Sequence, residues 1–212
     1  MYRLSENFIN PSRTNFARKM YAILFVILQI FGFSQSEVDL IDFNNFNLDL
    51  LDSLVFEEAC KQREIYKSVP LIKDKLCWAA AKYQCDYMSF YNTAGHKNDK
   101  KFQGVLLKTV GERIDYFITK SKSNLNPHVK MEILIEMPGI STKNYIGFEN
   151  KDYQTLSKTL IDYFMSSPHH KMALLWSIGL DFVQILGNFN TLYNKKTDTF
   201  YITGVIICNL SL

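Results

Sequence analysis

Residues 153–175 read YQTLSKTLIDYFMSSPHHKMALL. Leu156, Leu160, Ile161 and Phe164 recur at three- and four-residue steps, the spacing of one apolar helical face. Asp152 stands before the run as an N-cap, its carboxylate placed to accept from amide N–H groups that a first helical turn leaves unpaired. Ser166-Ser167-Pro168 ends the pattern, because proline has no amide donor and biases its predecessor away from helix. His169 and His170 follow the break. The stretch predicts a packed helix that stops at a proline turn and presents imidazoles at the rim of a cleft. The plainer reading of the same residues is a loop with two exposed histidines.

Around this stretch lie 212 residues, enough for one domain and a small extension. Apolar residues make up 47% and aromatics 14%, so a substantial core is expected and wholesale disorder is not. The formal charge of +3 belongs to residues 1–34, where Arg3, Arg13, Arg18 and Lys19 face only Glu6. Setting those aside leaves twenty of the 24 basic and twenty of the 21 acidic residues. A neutral domain without a basic, aromatic-interleaved cluster gives no electrostatic reason to expect nucleic acid.

Residues 1–34 read as an address. Arg18-Lys19 precede the apolar run MYAILFVILQIFGF, and Gly32 and Ser34 sit where a signal peptidase prefers small residues, with cleavage before Gln35. The run is short of the ~20 residues of a membrane span. The expectation is a signal peptide, hence a periplasmic or extracellular mature chain with no stable span. A retained signal anchor is the rival. Residues 35–53 form an acidic lead-in, and the domain proper runs over 54–212.

Export bears on Cys60, Cys77, Cys85 and Cys208. No CxxC pair occurs, so a zinc knuckle is not expected. Cys77 and Cys85 share one predicted helix, eight residues or about 12 Å apart, too far for a mutual disulfide. Two alternatives stay open: bridges from each of them to Cys60 or Cys208, which an oxidising compartment favours, or four buried thiols.

Taken in order, the domain predicts a helix over Leu54–Tyr66, with Val55, Ala59, Cys60 and Arg63 on one face. After Val69-Pro70 comes a second helix, Asp74–Asn92, whose stripe is Leu76, Ala80, Tyr83, Tyr87 and Tyr91. The loop TAGHKNDK carries His96, and a short helix follows over Thr109–Phe117. Val129–Met137 alternates and reads as a strand closed by Pro138-Gly139. After the opening helix, Ile178–Leu186 and Thr199–Cys208 are strands, joined by GNFNTLYNKKTD, a long polar loop suited to recognition. Helices first, then strands without βαβ alternation, predict an α+β fold with a small antiparallel sheet covered by helices.

These pieces resemble, in order and spacing, the CAP superfamily (SCP, cysteine-rich secretory protein/antigen 5/pathogenesis-related-1), most closely its bacterial secreted branch. The matching residues are Arg63; Pro70-Leu71, Asp74, Leu76 and Ala79–Ala81; His96; Glu112-Arg113-Ile114; Ser166-Ser167-Pro168-His169-His170-Lys171; and Ile178-Gly179-Leu180. The resemblance covers about Leu54–Cys208. It implies a three-layer α-β-α sandwich and a cleft gathering histidines and glutamates that in some members hold a divalent metal.

Carried over by position, the cleft candidates are His96, His170 and Glu149, the last in a Glu-Asn pair that resembles the family's GEN motif with Phe148 for glycine. Glu112 and Glu132 are the alternative carboxylates. His169 stands where the family has glycine, and Ser167 where metal-binding members have a second glutamate. Two imidazoles and a carboxylate suit zinc with an open position. The resemblance therefore leads to two expectations. One is a secreted binding module for a small molecule, peptide, glycan or lipid. The other is a zinc hydrolase on the same cleft, for which no general base can be named. No GxSxG, HExxH or P-loop points independently to an enzyme.

Overall fold

The computed structural model describes residues 40–139, 152–176 and 183–210, without the side chains of 183 and 210. The expected signal peptide, Glu149 and Ile178-Gly179-Leu180 lie outside the described residues.

The chain opens with α1 (Leu48–Ile65), which starts further upstream than the apolar spacing indicated because Asn47 caps it by accepting from the Leu50 amide. Three residues, β1 (Leu71–Lys73), then lead into α2 (Lys75–Tyr91). Asp74 caps α2 by accepting from the Leu76 and Cys77 amides, and Asn92 ends it in a left-handed conformation (φ 49°). Helix α3 (Val110–Ser121) and strand β2 (Pro127–Pro138) follow. The opening stretch is α4 (Tyr153–Ser166), capped by Asp152 as expected.

Pro168 does not lead into a loop. It occupies the first position of a further helix, α5 (Pro168–Leu175), where a missing amide donor costs nothing. Both histidines therefore sit in its first turn.

Strands β3 (Val183–Asn194) and β4 (Thr199–Leu210) complete a sheet of order β1-β3-β4-β2. The β2, β4 and β3 ladders are antiparallel. The expected all-antiparallel sheet is corrected at one edge, where β1 pairs with β3 in parallel. Three residues are too few for any periodicity to reveal.

The recognition loop expected over Gly187–Asp198 is likewise corrected: it is strand to Asn194, closed by a four-residue turn. Asn188, Asn190 and Thr191 are buried, and only the turn residues Lys195, Lys196 and Thr197 are exposed. The Asn188 side chain donates to the Asp74 carbonyl. Asn190 Nδ2 and the Thr191 N–H and hydroxyl all donate to the buried Asp52 carboxylate. Trp78 Nε1 donates to Asp52 as well, so one carboxylate ties α1, α2 and β3 together. Burial pushes its pKa up to about 6, against the lowering pull of these hydrogen bonds.

Strand β4 is central and apolar on both faces, as its unbroken FYITGVIIC implies. Phe200, Ile202, Ile206 and Cys208 pack with α1, α4 and α5, including Leu51, Val55, Leu160 and Phe164. Val205 and Ile207 face α2 and α3 through Cys77, Ala80, Ala81 and Ile114. The result is the expected α-β-α sandwich. All four cysteines are free thiols, three of them buried.

Candidate functional site

The α2–α3 loop is fixed by a row of tyrosine hydroxyls. Tyr83, Tyr87 and Tyr91 recur every four residues and so share one face of α2. The Tyr83 and Tyr91 hydroxyls donate to the carbonyls of Phe102 and Lys101. The Tyr87 hydroxyl accepts from the amides of Asp99 and Lys100. Gln84 Nε2 donates to the Gly95 carbonyl at 2.6 Å. A stripe that reads as core in sequence thus also immobilises the loop carrying His96.

Beneath that loop lies an ion pair. Arg113 of α3 is fully buried, and its Nη2 donates to Glu132 Oε1 at 2.6 Å. The same guanidinium donates to the carbonyls of His96 and Leu107. The other Glu132 oxygen lies 3.0 Å from His96 Nδ1. A carboxylate can only accept, so Nδ1 carries a proton in this contact and Nε2 is the ring nitrogen turned away from Glu132. The Glu132 side chain is 1% exposed and that of His96 is 52% exposed. The imidazole is therefore held from below and open above.

His170 approaches from the other helical layer. Helix α5 packs against β2 as α3 does, and β2 is the edge strand of the described sheet. The ring stands edge-on to Phe164, centroids 5.4 Å apart. Its Nδ1 is buried without a partner among the described residues. Burial lowers its pKa, and the charges of His96 and His169 lower it further. His169 is exposed. Arg63, also fully buried, sets the far end of α5 by donating to the carbonyls of Leu174 and Trp176, and anchors itself on that of Val69.

The carboxylate candidates separate clearly. Glu132 lies against His96. Glu112 is occupied in a helix cap, its Oε2 accepting from the Lys108 amide while Thr109 accepts from the Glu112 amide. Glu149 lies outside the described residues. Sequence reading set Glu132 behind Glu149 for want of a motif, yet its polar position within an Ile-rich strand beside a buried arginine was the available signal. Among the described residues no three His, Cys, Asp or Glu side chains are grouped to hold a metal ion. With both Glu132 oxygens engaged, these residues alone do not make a zinc centre. What they present is the open imidazole of His96 and the ring of His170, whose burial disfavours its charged form.

Two cavities lie elsewhere. One of about 560 Å³ is lined by Cys60, Glu64, Lys67 and Leu71, and one of about 470 Å³ by Phe43, Asn44, Tyr193 and Lys195. Neither histidine lines them. Among the described residues no helix is long and apolar enough to cross a membrane.

No protein-family model matches the chain, and no curated protein sequence matches it. Solved structures do. An outer surface protein from Borrelia burgdorferi superposes with a TM-score of 0.52 at 17% identity, over 82% of this chain and 99% of that one. An extracellular SCP-domain protein from Bacillus anthracis gives 0.49 at 15%, over 75% of this chain and 40% of that one. A cysteine-rich secretory protein from Staphylococcus aureus gives 0.41 at 15%, over 76% and 38%. This chain thus spans about two fifths of the latter two, and their scores add no weight. At such identity the likeness is one of fold alone. The chain thus shares the fold of the Borrelia outer surface protein.

Proposed function

We propose that the chain is an exported binding module that takes its ligand in the groove between His96 and His170 and does no chemistry on it. The observation that carries this reading is the engagement of Glu132. Its Oε1 accepts from Arg113 and its Oε2 from His96, so among the described residues the carboxylate nearest His96 is already committed to two charge-assisted structural contacts. The remaining groups are suited to holding a ligand by hydrogen bonds. The basic-apolar N-terminal segment, and the outer-surface description of the similar Borrelia protein, support export to the envelope or beyond.

A second reading, a zinc hydrolase on the same groove, draws on the unpartnered Nδ1 of His170. It needs Glu149 as a further ligand. The two separate in a binding screen of peptides, glycans and lipids with and without chelator, using the wild type, His96→Ala and His170→Ala. The module reading expects binding indifferent to chelator and weakened in both variants. Turnover of a hydrolysable substrate that chelator abolishes would overturn it.

A further inference from the structure

Three buried residues meet at the base of the His96 loop, and four of their polar atoms have no partner among the described residues. Asn98 is 0% exposed, and neither its Nδ2 nor its Oδ1 is bonded. Gln84 spends Nε2 on the Gly95 carbonyl, but its Oε1 is unpartnered. Arg113 spends its terminal nitrogens on Glu132, His96 and Leu107, but its Nε is unpartnered.

The bonds these residues do make bring them together. The Asn98 amide pairs with the Lys108 carbonyl, next to the Leu107 carbonyl that Arg113 holds. Gln84 and Arg113 grip the consecutive carbonyls of Gly95 and His96. Leaving four buried polar atoms unpaired would consume a large share of a domain's net stability, so a partner is required.

The chemistry of that partner follows from the inventory. Two of the atoms are donors, Asn98 Nδ2 and Arg113 Nε, and two are acceptors, Asn98 Oδ1 and Gln84 Oε1. Glu132 already neutralises Arg113, so no net charge calls for an ion. Water matches an uncharged, donor–acceptor-balanced site, and a buried water makes about three hydrogen bonds. We propose that a small buried water cluster sits inside this loop, bridging Asn98 to Gln84 and Arg113 and completing the brace beneath His96. The site stands on geometry, independently of what the groove binds.

A crystal structure of the full chain at a resolution that shows ordered water tests it directly. The expected result is water within hydrogen-bond distance of the Asn98 amide and of Gln84 Oε1 or Arg113 Nε. A dry interior, an Asn98 side chain turned out to solvent, or an anomalous peak for chloride would overturn the proposal. In Asn98→Leu, which fills the space and expels the water, amide exchange over residues 94–108 should rise roughly tenfold while that of α1 stays unchanged. Unchanged exchange in the loop would contradict the cluster's role. Should that variant fail to fold, water-to-amide magnetisation transfer at the wild-type Asn98 Nδ2 protons decides: long-lived transfer supports the proposal, and none refutes it.

Discussion

Arg113 Nη2 and Glu132 Oε1 lie 2.6 Å apart with neither side chain more than 1% exposed, and His96 rests on the other oxygen of the same carboxylate. The pair joins α3 to β2 beneath the His96 ring. Removing one partner leaves a buried charge uncompensated, which typically costs about 3–5 kcal/mol, while replacing both by apolar groups costs far less. Glu132→Gln should therefore lower unfolding stability by that order, and Arg113→Met/Glu132→Leu by clearly less. Denaturant titration measures both. A double variant as damaged as the sum of its parts would count against a mutually compensating pair.

Asp52 makes stability depend on pH in an unusual sense. Its pKa rises on folding from 3.8 to about 6, so its contribution is fully present below pH 3.8 and is lost as pH climbs through about 6. A shift of that size is worth about 3 kcal/mol. His170 acts oppositely: its lowered pKa gives a contribution present above 6.5 and lost as pH falls through its folded value. Asp52→Asn should flatten the rise in stability between pH 6 and 4. It should also lower stability throughout, because all four of its partners donate and an amide NH₂ would face them. Thermal melts from pH 4 to 8 test this, and an unaltered slope in the variant would refute the assignment.

Arg63 is a buried guanidinium whose partners are three carbonyls, reached in a fork that lysine cannot copy. Arg63→Lys should destabilise by about 1.5–3 kcal/mol and displace α5, moving the NMR signals of the His170 ring. Full retention of stability would show that the clamp is dispensable.

Gly204 lies opposite Phe189 in the β3–β4 ladder, and a Cβ there would come 2.5 Å from the Phe189 ring. Gly204→Ala should cost about 1–3 kcal/mol through overpacking. Phe189→Leu in the same chain should recover part of that loss. If the double variant melts below the single one, Phe189 is not the obstacle.

The helices were legible because their signals are local. Asp74, Thr109 and Asp152 cap as their residue types suggest, and the apolar face of α4 is the one its spacing marks. The sheet was less so. The polar run in β3 read as a loop because Asn188, Asn190 and Thr191 find partners on Asp74 and Asp52, distant in sequence. Asp52 itself drew no attention, since one acid on an amphipathic helix looks like a surface residue until β3 closes over it. His96 and His170 were legible only through a resemblance of motif order. The Glu132–Arg113 brace was not, because pairing across 19 residues between helix and strand leaves no local pattern.

On the proposed function, His96 and His170 hold a ligand without metal-assisted chemistry, because the described carboxylate nearest His96 is already engaged. Calorimetric titration of the full chain with zinc, alongside His96→Ala and His170→Ala, tests it most directly. No stoichiometric site is expected in the wild type, with traces unaffected by either substitution. One tightly bound zinc per chain, lost in both variants, would contradict it.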